Sequence, residues 1–184
     1  SVVSSNNTVP ATAFYAGNFD DIYYSGVGLT GNLYVCSTNA GITALWRIPL
    51  NGVTAGVLGT PVAGPTLTTV NVACSPMTEF KNGAVDRIFV SVTGSARTVS
   101  PVSCPAATGC IMSYDITTAT GWGAAKTTSA TAAAASGTSA IVVDGDAAAT
   151  GASQIYFAPL ADQACTTSGG TGGCAIQASQ AGLN

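Results

Sequence analysis

Six cysteines in a chain with no histidine constrain the fold more than any other feature of this sequence. They stand at Cys36, Cys74, Cys104, Cys110, Cys165 and Cys174. No two form a CxxC pair and no imidazole is present, so a zinc site lacks its usual ligand sets. A disulfide framework is the better reading, and it implies an oxidising compartment. Among the pairings that six cysteines allow, local spacing favours Cys104–Cys110 and Cys165–Cys174. Each closes a short loop rich in small and turn-forming residues. Cys36–Cys74 is then the third pair. The chain is expected to be secreted, either extracellular or at a cell surface.

Composition narrows the class. Only 7% of the 184 residues are charged, while 47% are hydrophobic, many of them Ala and Val. Disorder needs the reverse balance. The length suits one domain with a core of its own, taken as residues 1–184. The longest weakly polar stretch, 127–143, is broken by Ser, Thr and Gly, so no membrane insertion is expected. No basic, apolar export signal is visible. The five basic residues, Arg47, Lys81, Arg87, Arg97 and Lys126, form no cluster. Nucleic acid and an anionic membrane surface are therefore disfavoured as partners.

Strand signals dominate. In Ile42–Ile48, residues Ile42, Ala44, Trp46 and Ile48 share one face, and Ile88, Val90 and Val92 alternate in the same way. Three segments repeat an apolar–aromatic–apolar order: Leu33-Tyr34-Val35, Ile88-Phe89-Val90 and Ile155-Tyr156-Phe157. Each follows a strand-like segment ending near an acidic residue and a turn: FDDIYYSG, SPMTEFKNG and SAIVVDGD. Each precedes a third strand: ALWRIPLNG, CIMSYDITT and CAIQASQ. A Thr/Val-rich stretch, 59–70, supplies a fourth strand. The expected fold is all-β, with about three four-stranded antiparallel units resembling propeller blades, a partial propeller with disulfide-stapled loops. The units span roughly 11–64, 65–128 and 137–184, with 1–10 as an N-terminal strand or arm. Residues 129–136, rich in Ala, are expected to form a flexible linker.

Four segments carry a family resemblance. GNLYVC (Gly31–Cys36), CSPMTEFKNGAVDRIFVSV (Cys74–Val92), GASQIYF (Gly151–Phe157) and CTTSGGTGGCAIQASQAGLN (Cys165–Asn184) resemble uncharacterised secreted bacterial proteins with propeller-like repeats. Such proteins are frequent in acidobacterial and environmental sequences. The resemblance covers most of residues 15–184. It implies a propeller-like fold, secretion, a natural C-terminus at ASQAGLN, and a processing site or truncation before Ser1. It implies no activity, cofactor or catalytic residue.

The missing histidine removes Ser-His-Asp and Cys-His catalysis, and oxidised cysteines offer no thiolate. The GGTGG run lies inside a disulfide loop, not in a phosphate-binding context. Eight carboxylates remain: Asp20, Asp21, Glu79, Asp86, Asp115, Asp144, Asp146 and Asp162. Glu79 with Asp20 or Asp144 is the one pairing suited to glycoside hydrolysis. Against it, these acids sit at strand ends, where Asp favours turns, and Asp86 beside Arg87 suits a surface ion pair. Asp144-Gly145-Asp146 begins like a calcium loop, but it continues into alanines, and Asp-Gly is also a hairpin turn. No cofactor is expected.

Trp122, Tyr23 and Tyr24 are the aromatic residues placed to face a ligand. Trp122 is expected at the surface between two glycines, whereas Trp46 is expected in the core. Asn6-Asn7-Thr8 matches a short glycosylation sequon. The reading is a non-enzymatic extracellular structural protein. It assembles as a homo-oligomer, by closing a ring or growing a filament through strand edges. A glycan-binding or adhesive module is the alternative, and a carboxylate glycosidase is the third reading.

Overall fold

The computed structural model of the chain describes residues 15, 17–26, 30–50, 58–95, 109–118, 122, 134–145, 154–165 and 169–179. The expected arm at 1–10, Cys104, Asp146 and most of the alanine-rich stretch lie outside these residues.

The fold is all-β and antiparallel. Strands β1 (Asn18–Phe19), β2 (Asn32–Asn39), β3 (Ile42–Pro49) and β4 (Val62–Thr66) form the first sheet in chain order. Strands β5 (Thr78–Asn82), β6 (Val85–Val92) and β7 (Cys110–Asp115) form the second. Two further short strands, β8 (Val142–Val143) and β9 (Gln154–Phe157), belong to the third sheet. A separate ribbon joins β10 (Gln163–Ala164) to β11 (Thr171–Gly172). Strand β12 (Ile176–Ser179) then completes the third sheet in the order β12-β9-β8. Four strands were expected in every unit. Among the described residues the first sheet has four, and the second and third have three each.

Alternation along the strands decides what packs where. One face of the first sheet carries Tyr34, Cys36 and Leu45, and Leu67 joins them. These residues pack against Ile88, Val90, Val92, Met112 and Tyr114 of the second sheet. The residues between them point the other way. Phe89 and Ile111 pack with Ile141, Ile155 and Phe157 of the third-sheet region. The second sheet is therefore buried on both faces. Val35, Trp46 and Ile48 bury the far face of the first sheet, so Trp46 is the core residue its spacing suggests.

Two disulfides appear in full. Cys36–Cys74 lies inside the first core cluster and ties the first sheet to the second. Cys165–Cys174 encloses β11. Cys110 is also disulfide-bonded. Closing a loop of the Cys36–Cys74 size stabilises a fold by about 2–4 kcal/mol.

Hydroxyls substitute for charges in the interior. Thr138 donates its N–H to Ser75 Oγ at 2.8 Å and to Ser91 Oγ at 3.1 Å, and its own hydroxyl meets Ser91 Oγ at 2.9 Å. All three residues are buried. Thr78 Oγ1 donates to the Ile141 carbonyl at 2.6 Å, giving a second tie between the second and third layers.

Three expectations are corrected. FDDIYYSG does not form a strand throughout, because Asp21–Ser25 is a helix, α1, N-capped by Asp20. The Asp20 carboxylate accepts the Tyr23 N–H at 3.1 Å, which satisfies a donor of the first turn. The alanine-rich stretch is not a linker at its end, because Ala134 is fully buried in the second core cluster and starts a turn. Trp122 is not a surface residue. It is half-buried and meets Tyr34 edge-on, with ring centroids 5.2 Å apart. Gly64 makes room for it, since a Cβ there would clash with the indole.

Gly64→Ala should therefore lower stability by about 1–3 kcal/mol, the usual range for overpacking. Thermal unfolding and the near-ultraviolet dichroism of Trp122 would show it, and unchanged values in both would refute the contact.

Candidate functional site

Acidic residues scattered in sequence meet where the first and second sheets face each other. Asn32 and Arg47 extend the Tyr34 face of the first sheet, and both are buried. Glu79 and Asp86 lie on the facing side of the second sheet, placed there by the pairings Glu79–Ile88 and Lys81–Asp86. Helix α1 closes the same end.

Asp20 is fully buried and fully engaged. One oxygen accepts the N–H groups of Tyr23 and Asn32, and the other accepts the Asn32 amide at 2.7 Å. Gly31 permits this approach: its φ is +101°, and a Cβ would lie 2.5 Å from the Asp20 carboxylate. Arg47 Nη1 donates to Asn32 Oδ1 at 3.4 Å.

Asp86 is 4% exposed. This corrects the expected surface pair with Arg87, whose guanidinium instead donates to Ser113 Oγ at 3.4 Å. One Asp86 oxygen accepts the Asp21 N–H at 3.0 Å. Its other oxygen, Oδ1, is buried and meets no N–H or hydroxyl donor. The carboxyl groups of Glu79 and Asp86 interact, so a proton on Glu79 would give Asp86 a further donor.

Burial is the main cause that raises Glu79 to about 8, followed by its contact with Asp86 and by the charges of Asp86, Asp21 and Asp20. Burial also raises Asp86, against the lowering effect of its hydrogen bonds to Glu79 and the Asp21 backbone. Burial and the neighbouring carboxylates thus favour the protonated form of Glu79, and the pair is expected to share one proton near neutral pH. Burial likewise pushes the Tyr34 phenol far above its usual range. At the rim, Lys81 Nζ meets Asp21 Oδ2 at 2.6 Å, which holds the Asp21 carboxyl low and the lysine high.

The expected partners of Glu79 are elsewhere. Asp20 serves as a cap and backbone acceptor, and Asp144 continues the β8–β9 pairing by donating its N–H to the Gln154 carbonyl at 2.9 Å. The carboxyl that interacts with Glu79 is instead that of Asp86, on the same face of the same sheet. Of the two calcium candidates, Asp144 is at this strand end and Asp146 lies outside the described residues. Among the described residues, no three Asp, Glu or Cys side chains come together as a metal-binding group.

A second candidate region is the outward face of the third sheet. Val142 pairs with Tyr156, and Tyr156 with Gln177, so all three point away from the second sheet. Val142 is 61% exposed and Tyr156 39%. They line a shallow depression of about 470 Å³ with Ala140, Ala158 and Ala175, and no lining residue is charged. Sequence pattern marked Tyr156 only as the centre of a repeat. Its outward direction depends on which layer the sheet meets.

Of the expected ligand-facing aromatics, Tyr23 stacks on Phe19 with centroids 4.0 Å apart, and Tyr24 is exposed. Trp122 belongs to the core boundary described above. No protein-family model, curated protein or solved structure matches the chain. Among the described residues, no helix is long and apolar enough to cross a membrane.

The folded chain keeps the Glu79 proton across a range, from the ordinary glutamate value near 4.5 to about 8, in which the unfolded chain releases it. Stability is therefore expected to fall as pH rises through that window. Glu79→Gln gives Asp86 a permanent N–H donor and should flatten the fall. Melting temperatures of both proteins between about pH 5 and pH 8.5 provide the measurement, and parallel curves would exclude the shared proton.

Proposed function

We propose that this chain is a non-enzymatic, secreted structural protein that self-associates through the outer face of its third sheet. The observation that carries this reading is the uncharged, apolar and exposed surface around Val142 and Tyr156. Charged residues are depleted in the cores of protein interfaces, and aromatic residues are enriched there. Among the described residues, the outer strands of this sheet, β8 and β12, are short, uncharged edges.

The occupant we infer is a second copy of this chain. The chain carries a net charge of −3, yet none of the described residues lining this depression is charged, so two copies would meet here without opposing like charges from that lining. A head-to-tail filament needs a second, complementary open face. The far face of the first sheet is occupied by its own buried Val35, Trp46 and Ile48, which favours a two-fold pair over a filament. The successive antiparallel sheets, packed in chain order, support reading them as blades of a partial propeller. The disulfides support secretion.

Val142→Lys combined with Tyr156→Lys places like charges across such a contact. Light scattering after size exclusion should show a dimer for the native chain and a monomer for the double variant, with unchanged circular dichroism. A native chain that stays monomeric at every concentration would end this reading.

A further inference from the structure

A separate surface carries aromatic chemistry that self-association does not use. The short helix α1 and strand β1 bring Phe19, Tyr23 and Tyr24 into one group. Phe19 and Tyr23 stack nearly parallel, 17° apart. Tyr24 meets both edge-on, at 6.4 Å and 88° from Phe19 and at 5.5 Å and 77° from Tyr23. Its hydroxyl donates to Asn18 Oδ1 at 3.2 Å. Two ring contacts and one hydrogen bond therefore fix the orientation of a ring that is 61% exposed.

An exposed ring usually keeps rotamer freedom that binding must remove. A ring held in place by its neighbours avoids that cost. The polar groups around it are of mixed kind. On a helix, Asp21 neighbours Tyr24 and Ser25, which lie three and four positions ahead. Ser25 Oγ donates to the Asp21 carbonyl at 2.7 Å and reaches its carboxylate at 3.3 Å. Lys81 is paired to that same carboxylate. Within one helical turn of Tyr24, or paired to that turn, there are thus an ammonium donor, a carboxylate acceptor and a hydroxyl that does both.

We propose that Tyr24, oriented by Phe19, Tyr23 and Asn18 and flanked by Asp21, Ser25 and Lys81, is a binding platform for the ring of a neutral saccharide. A pyranose offers an apolar C–H face to an aromatic ring and a rim of hydroxyls to the donors and acceptors beside it. The Lys81–Asp21 pair carries no net charge, so it selects neither an anionic nor a cationic sugar. A protein partner fits less well, because the core of a protein interface is depleted of charge and Tyr24 stands beside a charged pair. This site is independent of the third sheet.

The test uses the intact, disulfide-bonded chain in affinity electrophoresis and pull-down with cellulose, chitin, xylan, mannan and β-1,3-glucan. The native chain should bind at least one of these neutral polysaccharides. Tyr24→Ala should weaken that binding about tenfold or more, as the loss of a central aromatic contact does. Tyr24→Phe should keep most of it, because the ring remains. The Val142→Lys, Tyr156→Lys double variant should bind as the native chain does per site, which separates this site from self-association. Failure of the native chain to bind any of the five polysaccharides would overturn the proposal. So would equal binding by Tyr24→Ala with an unchanged dichroism spectrum, or a Tyr24-dependent interaction found with proteins alone.

Discussion

Strand β6 lies between two layers, and the remainder of the structure is organised around that double burial. Ile88, Val90 and Val92 reach the first sheet, while Phe89 reaches the third-sheet region. A strand buried on both faces cannot slip by one residue without exchanging its two sets of neighbours. Ser91 adds a polar constraint, because its hydroxyl meets Thr138 between the layers. The Cys36–Cys74 bridge then holds the first sheet on the face that β6 presents to it.

A chain so poor in charge keeps several of its few charges inside. Asp20 and Asp86 are buried, as is Arg47. Burying an ionised carboxylate is costly unless hydrogen bonds compensate it. Asp20 meets this condition with three donors. Asp86 has the Asp21 N–H and lies among the groups that raise Glu79, the expected source of a second donor. The acidic end of the inter-sheet space is accordingly a stability element whose strength depends on pH. Elsewhere, Ser and Thr hydroxyls perform the same task without ionising.

The surfaces divide into two kinds. The outer face of the third sheet is apolar and uncharged, which suits contact with a like surface. The α1 surface couples one fixed, exposed ring to a salt bridge and a hydroxyl, which suits a small polar ring. Both uses are compatible with a disulfide-bonded structural protein, because neither requires a catalytic group.

Much of the architecture was legible in local sequence. Period-two alternation located β3 and β6, repeat order located β7, and cysteine spacing anticipated Cys165–Cys174 and left Cys36–Cys74 as a remaining pair. Misreadings arose where one signal had two meanings. The run after Asp20 looked strand-like because it is apolar and aromatic, yet Asp20 is also a good N-cap, and the cap prevailed once Gly31 let the β2 end approach. Asp86 looked solvated because Arg87 follows it, but adjacent strand residues point to opposite faces. Alternation and spacing are properties of neighbouring residues, so sequence by itself indicated the main strands, two of the disulfide pairs and the near absence of charge. Which face of each sheet meets another layer depends on residues far apart in the chain. Only the tertiary structure therefore decided that Asp86 is inside with Glu79, that Trp122 rests on Gly64, and that Val142, Tyr156 and Tyr24 are left facing water.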